Sequence, residues 1–438
     1  MNKTKNKLRK FIFFQIILTI ILSIYSPISI ADENNQIQSE IAATENSNSN
    51  ITILSPHAIL MDPSTGQILY EHNAREQAYP ASVTKLMTAI LTMENCKLDD
   101  VVTVDSKALQ GIPRSYTVAA LQPGEQITVD KLLHVLLIPS ANDAANVLAF
   151  HIAGSLESFS EMMNAKAKEI GCENTHFTNP SGIHDDNHYT SAYDMALIGK
   201  YAYTFDTIRE IATNTSYDLP NLPDGKERKF KTTNTLITEK NQYYYEYATG
   251  LKTGYTDKAK SCIVATAEKD NMELLCVILG GDKTEDKKAQ RELDCRTLFE
   301  YGFNNYSSSD LCIKNNSIDK SKVTNLPDIL RDTEIGYEDT IHILVPNDGS
   351  YTTTYNFKEN IKLPIKKGES LGNITYTINN VEYKVNLIAL NDVYPISTKD
   401  VSYLFKVLLI ALVLILLVSV VKKKNRKKES RYFKRSLY

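Results

Sequence analysis
The chain has 438 residues, 42% of them hydrophobic and 23% charged, with a formal net charge of −3, room for two or three folded domains with membrane pieces attached. That average hides basic ends: residues 1–31 carry five Lys/Arg and no acid, residues 422–438 carry nine against the single Glu429, and the body between them carries about −16. So acidic a body argues against nucleic acid as a partner.

The N-terminus runs Lys3 to Lys10 with alternate basic residues, then Phe11 to Tyr25 without a charge, then Ser29-Ile-Ala31. A basic, apolar and small-residue sequence in that order is a secretory signal peptide, expected over residues 1–31. Residues 32–54, with Glu45-Asn-Ser-Asn-Ser-Asn50 inside, are polar and low in complexity, a flexible linker.

Order is expected from about His57. His57–Met61 and Gln67–Tyr70 read as strands around the turn Asp62-Pro-Ser-Thr-Gly66. Tyr79-Pro-Ala-Ser-Val-Thr-Lys-Leu-Met-Thr-Ala-Ile-Leu91 then reads as the start of an amphipathic helix, with Val83, Leu86, Met87, Ile90 and Leu91 on one apolar stripe. A second helix follows Thr128 as its cap and breaks at Pro139; a third resumes at Asn142, so Ser140-Ala-Asn142 lies on the joint. Ser158-x-x-Glu161 has the spacing of a capping box, opening a helix that stops at Gly171. Sheet returns at Thr249–Gly254, Cys262–Thr266 and Glu273–Leu279, and a helix from about Glu285 to Tyr301 closes the domain. Strands at both ends with helices between them imply an α+β domain over 55–303, an antiparallel sheet with a helical subdomain.

From residue 304 to 400 the texture is short alternating runs, Ile341–Val345, Tyr351–Tyr355, Ile374–Ile378 and Tyr383–Ile388, with Asn379-Asn380 as a turn, which suggests a small β-sandwich. Residues 403–421 are apolar apart from Lys406 and long enough, with their flanks, for one transmembrane helix. The basic tail 422–438 follows directly, so the positive-inside rule puts it in the cytoplasm and the rest on the extracytoplasmic face of the cell membrane, single-pass. Six cysteines without a C-x-x-C or a compact spacing read as mostly free and buried.

Ser82 and Lys85 stand three apart, which on a helix sets a hydroxyl beside an amine. A serine needs an adjacent base to become a nucleophile, and a lysine stripped of water can lose its proton and serve. The spacing is common by chance, and it recurs at Ser317/Lys320 and Ser419/Lys422. What singles out Ser82 is that Ser82-Val-Thr-Lys85, Ser140-Ala-Asn142 and Lys252-Thr-Gly254 follow in that order on a helix start, a helix joint and a strand.

These three motifs, with Asp62-Pro-Ser-Thr-Gly66, Pro80-Ala-Ser-Val-Thr-Lys85 and His188-Tyr-Thr-Ser-Ala-Tyr-Asp-Met195, resemble those of the D-alanyl-D-alanine carboxypeptidases, low-molecular-mass penicillin-binding proteins with a β-lactamase/transpeptidase-like fold. The small β domain and the C-terminal membrane attachment match that architecture. The resemblance implies an enzyme that removes the terminal D-alanine from peptidoglycan stem peptides ending in D-Ala-D-Ala, that β-lactams acylate, and that needs no cofactor. It implies Ser82 as acyl-ester nucleophile, Lys85 as general base and Ser140 as proton relay. Asn142, Lys252, Thr253, Gly254 and Thr256 would bind substrate, with Lys252 near its carboxylate. The backbone amides of Ser82 and Tyr255 would form the oxyanion hole. Arg291, at the matching distance before Tyr301-Gly-Phe303, would meet the terminal carboxylate. The sequence departs from the family at Ala141, where many members have glycine. His184, Asp185, Asp186 and His188 also form a cluster, but the same stretch matches the family without metal. Two rivals share the serine: a β-lactamase, which needs fast deacylation, commonly through a glutamate-held water, and a membrane-anchored penicillin-binding sensor without turnover, whose cytoplasmic side would need more than a short basic tail.

Overall fold
The computed structural model describes residues 51–222, 224–282, 289–395 and 398–435. The expected signal peptide and most of the linker lie outside them.

The chain opens with strands β1 (His57–Met61) and β2 (Ile68–His72), enters helix α1 (Lys85–Asn95) through a 3₁₀ turn at Ala81–Thr84, and forms a short ribbon, β3 (Val101–Thr103) with β4 (Gln126–Thr128). Helices α2 (Val129–Leu137), α3 (Asn142–Ala153), α4 (Leu156–Ile170), α5 (Ala192–Tyr203) and α6 (Asp206–Ala212) follow, then the hairpin β5 (Ser216–Leu219) and β6 (Arg228–Lys231). Strands β7 (Ala248–Thr256), β8 (Lys260–Lys269) and β9 (Met272–Gly281) precede α7 (Gln290–Asn305). The second domain holds β10 (Tyr306–Cys312), β11 (Ile335–Tyr337), β12 (Ile341–Pro346), β13 (Tyr351–Phe357), β14 (Ser370–Ile378) and β15 (Val381–Ala389), and the chain ends in α8 (Thr398–Arg435).

The central sheet has the antiparallel order β2-β1-β9-β8-β7, so N- and C-terminal pieces of the first domain share one sheet, as expected. Its residues alternate between two cores. Ile59, Met61, Val264, Leu275, Val277 and Leu279 pack toward the helices, while Ala58, Leu60, Ile263, Ala265, Cys276 and Ile278 pack toward α7. Burial on both faces makes these strands read as continuous apolar runs rather than alternating ones.

Three local expectations need correction. Helix α1 has no solvent face over its first two turns: Lys85 to Thr92 are all buried, and Thr88 and Thr92 satisfy their hydroxyls on Pro180 O (2.6 Å) and Thr88 O (2.7 Å). It is a core helix, not an amphipathic one. Helix α4 is capped one turn earlier than expected, by Ser155, whose hydroxyl accepts from Ser158 N at 3.0 Å, because burying Phe159 and Met163 requires helix from Leu156 on. Helix α7 begins at Gln290 after an extended Ala289 and runs on to Asn305; residues 283–288 lie outside the described set.

The second domain is all-β, with β10 and β12 in one sheet and β11-β15-β14-β13 in another over a core containing Leu330, Leu371 and Leu387. Asn379 and Asn380 turn β14 into β15 with φ of 50° and 62°, the left-handed pair that a two-residue hairpin needs. Within α8, Ser402–Lys424 is long and apolar enough to cross a membrane, and its most apolar stretch is not buried among the described residues. All six cysteines are free, four buried and Cys96 and Cys172 half-buried.

Candidate active site
Ser82 sits in the 3₁₀ turn that feeds α1, on a chain bent by a left-handed Ala81 (φ 48°). The bend is clamped from outside. Gly182, also left-handed, lies so close that a Cβ there would fall 1.9 Å from Ala81 O, and only glycine fits. Thr84 Oγ1 donates to Ala81 O (2.8 Å) and therefore accepts from His188 Nε2 (2.9 Å), while His188 Nδ1 accepts from Thr178 N (3.1 Å). His188 is thus neutral with its proton on Nε2, and burial pushes its pKa down to about 3. Of the histidine and aspartate cluster, His188 is a buried support of the Ser82 turn, whereas His184 pairs with the exposed Asp186 at 3.2 Å. Among the described residues, no group of three or more His, Cys, Asp or Glu is placed to hold a metal ion.

One turn on, Lys85 is fully buried. Its Nζ lies 3.1 Å from Ser82 Oγ, 2.9 Å from Asn142 Oδ1 and 2.7 Å from Ser181 O. Burial pushes its pKa well below the usual lysine range, the nearby Lys252 charge lowers it further, and Asp143 opposes them. A neutral amine has two N–H donors and one lone pair. Asn142 Oδ1 and Ser181 O can only accept, so both donors go to them and the lone pair is left for the Ser82 hydroxyl.

Ser140 and Asn142 arrive from the α2–α3 joint. Ser140 has φ 67°, a conformation costly for a non-glycine residue, on the order of 1–3 kcal/mol, and its Oγ is buried without a partner among the described residues. The joint is held there because Ala141 N donates to Val135 O and Asn142 N to Thr117 O, both at 2.9 Å. Asn142 Nδ2 also donates to Thr117 O (2.9 Å), so its amide orientation follows from its two partners. Asp143 ties down the facing loop by accepting from Ala119 N (2.8 Å) and Leu121 N (3.1 Å).

Strand β7 closes the site. It is an edge strand, so one row of its backbone groups is open to the cleft. Lys252 is buried, donates to Thr253 O (2.8 Å), and has its pKa lowered to about 7 by burial and by Arg291. Thr253 Oγ1 meets Thr233 Oγ1 at 2.5 Å. A Cβ on Gly254 would fall 2.7 Å from Ser82 N and 3.0 Å from Val83 N, so the absent side chain is what lets the strand touch the serine turn. Arg291 sends Nη1 to Gly254 O (3.2 Å) and Cys262 O (3.3 Å), and Nε and Nη2 to the buried Glu292 Oε1, both at 2.8 Å. Four of its five donors are therefore taken by the protein.

These elements enclose a cleft of about 440 Å³, whose walls include Ser82, Ser140, Asn142, Thr253, Gly254, Tyr255, Thr256 and Arg291. Lys85 and Lys252 lie buried beside it. The structure thus brings all ten sequence-selected residues together across 210 positions of chain. Sequence reasoning missed Ser115, Tyr116, Thr117, Thr233 and Asp257, which also line the cleft, and Ser181, whose carbonyl holds Lys85. Only Ser181 left a usable signal. It belongs to Asn179-Pro-Ser-Gly182, a turn that Asn179 Oδ1 organises by accepting from Ser181, Gly182 and Ile183 N–H groups.

Residues 42–283 match the family model described as D-alanyl-D-alanine carboxypeptidase, and residues 309–395 match the penicillin-binding protein 5 C-terminal domain. The chain is 33% identical to the D-alanyl-D-alanine carboxypeptidase DacF of Bacillus subtilis over 82% of its own length and 88% of the relative's. It is 31% identical to DacC of Escherichia coli, a protein of the same description, over 73% and 79%. Among solved structures it is similar to penicillin-binding protein 5 of Haemophilus influenzae, with a TM-score of 0.63 at 28% identity, covering 79% of this chain and 99% of that one. The motifs, the two-domain α+β architecture and these matches agree: the chain belongs to the D-alanyl-D-alanine carboxypeptidase family.

Proposed function
We propose that the cleft removes the terminal D-alanine from peptidoglycan stem peptides ending in D-Ala-D-Ala, through an acyl-enzyme on Ser82, and that β-lactams acylate the same serine. The observation that carries the assignment is the Lys85 amine, fully buried, with its Nζ 3.1 Å from Ser82 Oγ. Ser82 Oγ attacks the penultimate carbonyl as its proton passes to Lys85 Nζ. The oxyanion forms against the amides of Ser82 and Tyr255. Ser140, whose hydroxyl has no partner of its own, passes a proton to the departing amine, and water then cleaves the ester. The substrate backbone lies along the open edge of β7, with Asn142 holding its amide and Thr253 and Thr256 on the other wall. Lys252 and Arg291 supply positive charge for the terminal carboxylate. Because Arg291 is largely engaged, Lys252 is the principal cation and Arg291 chiefly fixes the Gly254 carbonyl.

The test is a peptide ending in D-Ala-D-Ala against the same peptide with a C-terminal amide. Release of D-alanine from the acid and only slow cleavage of the amide supports the reading; equal rates on both would sink carboxylate recognition. The pH profile adds a second readout. Lys252, with a pKa of about 7, is charged below that value and loses its charge above it, so kcat/KM falls as pH rises through about 7. Lys252→Arg, which cannot deprotonate, is expected to abolish that limb. Gly254→Ala, which drives a Cβ into the Ser82 turn, is expected to slow penicillin acylation by roughly 10²-fold or more, the cost of one displaced oxyanion donor.

The apolar Ser402–Lys424 helix supports membrane attachment. With a basic tail behind it, the reading is a single span in the cell membrane with both folded domains on the extracytoplasmic face, where the peptidoglycan substrate lies.

A further inference from the structure
A second serine outside the cleft has hydrogen-bond partners of its own. On the β10–β12 sheet, Ser308 Oγ lies 2.7 Å from His342 Nε2, and His342 Nδ1 lies 2.8 Å from Asp310 Oδ1. The order is hydroxyl, imidazole, carboxylate, with each nitrogen of one ring committed to one partner. A carboxylate oxygen can only accept, so Nδ1 carries a proton, and in the neutral ring Nε2 then presents its lone pair to the Ser308 hydroxyl. That is the arrangement of an activated serine nucleophile, recognised by roles and geometry whatever fold carries it.

The sheet register explains the contact. Ser308 faces Leu344 and Asp310 faces His342 across the two strands. Leu344 spends both its backbone groups on the Gln67 side chain, donating N–H to Oε1 (3.1 Å) and accepting from Nε2 (2.8 Å). Leu344 and Ser308 are therefore a non-hydrogen-bonded pair and, by the alternation of an antiparallel ladder, so are His342 and Asp310. Such pairs bring side chains closest together. The same alternation turns the Ser308 N–H away from β12, toward an edge with no ladder partner among the described residues. The nucleophile's own amide is thus available where an acyl oxyanion would form. Leu344, on the same face, is buried in the first domain's core, while His342 is exposed, which places the three residues at the rim of the seam between the domains.

We propose that Ser308, His342 and Asp310 form a second, weak acyl-transfer site that takes unhindered, activated carboxylic esters. In the step, Ser308 Oγ bonds to the ester carbonyl carbon, its proton passes to His342 Nε2, and Asp310 holds the resulting imidazolium through Nδ1–H. The carbon–oxygen bond to the leaving group then breaks as His342 Nε2–H returns the proton to that oxygen, leaving acyl-Ser308; water, giving a proton to the neutral imidazole, hydrolyses the ester and restores the Ser308 hydroxyl. All three side chains are exposed, so the site selects for access and leaving group rather than for a particular acyl chain. The acceleration is set at the low end of general-base catalysis, about 10²-fold, because the imidazole is open to water.

The test uses the full chain in detergent carrying Ser82→Ala, which removes the cleft serine, exposed to p-nitrophenyl acetate and digested for mass spectrometry. Ser307 and Ser309, the neighbours on the same strand, serve as internal controls and need no further variant. Acetylation of Ser308 about 10²-fold faster than of Ser307 or Ser309, lost with His342→Ala and reduced with Asp310→Asn, supports the site. Equal acetylation of the three serines, or a Ser308 rate unchanged by His342→Ala, overturns it.

Discussion

Ser82→Ala is expected to abolish covalent labelling by penicillin and to lower D-alanine release by about 10⁴-fold or more, while leaving the fold intact. The rate loss follows from removing the atom that forms the acyl bond, since members of a nucleophile–base unit cannot substitute for one another. The fold should survive because Ser82 is only half-buried and because Lys85 keeps its contacts with Asn142 Oδ1 and Ser181 O. Away from packed or unsatisfied groups, such a change alters stability by about 0.5 kcal/mol or less. Labelling, turnover and thermal denaturation on the same preparation check all three parts. Persistent penicillin labelling in this variant would move the nucleophile elsewhere.

The second large effect is at Lys85. Lys85→Met keeps the length of the side chain and removes the base, and should slow acylation by about 10³- to 10⁴-fold, the upper part of what a positioned general base supplies. Two opposing changes bear on stability. Asn142 Oδ1 and Ser181 O lose their donor, which costs about 1–3 kcal/mol each if they stay dry, and the buried amine with its desolvation penalty disappears. Lys85→Arg separates charge from base: it retains a cation but cannot deprotonate at working pH, so it should be as slow as Lys85→Met if the base role holds. Acylation kinetics of both variants with a chromogenic β-lactam provide the measurement. A Lys85→Arg enzyme within tenfold of the native rate would mean that the amine acts as a cation and not as a base.

How far the sequence carries this picture depends on which residues are asked about. The three motifs were readable because, though each spacing is common alone, they follow in order on a helix start, a helix joint and a strand. The turn at Asn379-Asn380 and the sheet strands were readable because turn residues and apolar runs bound them. What stayed hidden was whatever depends on tertiary approach. The burial of α1 on every side could not be read from a stripe of five apolar residues, since Thr88 and Thr92 count as polar until their hydroxyls find carbonyls. His188 looked like part of a loop cluster, and only the contact with Thr84 across 104 residues shows it supporting the serine turn. Thr117 acts through its main-chain carbonyl, which every residue has, so no side-chain pattern marks it, and Ser181 is marked only by the Asn-Pro-Ser-Gly turn that holds it. Arg291 was found by its distance from a following motif, but its engagement with Glu292 and the Gly254 carbonyl is a matter of geometry.

The relation between the two buried cations also emerges only from the structure. Burial lowers the proton affinity of both lysines most, with Lys252 adding to the effect on Lys85 and Arg291 to that on Lys252. The shift favours an uncharged Lys85 and brings Lys252 down to about 7, which suits the proposed division between a base and a carboxylate-binding cation. Their sequence neighbourhoods, Thr-Lys-Leu and Leu-Lys-Thr, give no hint of that division.

The chain is expected to turn over D-Ala-D-Ala peptides rather than only trap acyl groups on Ser82. The most direct measurement is the amount of D-alanine released per molecule of the full chain from an acylated peptide ending in D-Ala-D-Ala, with the acyl-enzyme located on Ser82 in parallel. Many equivalents of D-alanine per enzyme, with Ser82→Ala releasing none above background, is the expected result. One equivalent or none, with penicillin still labelling Ser82, would contradict it and identify a sensor in place of a carboxypeptidase.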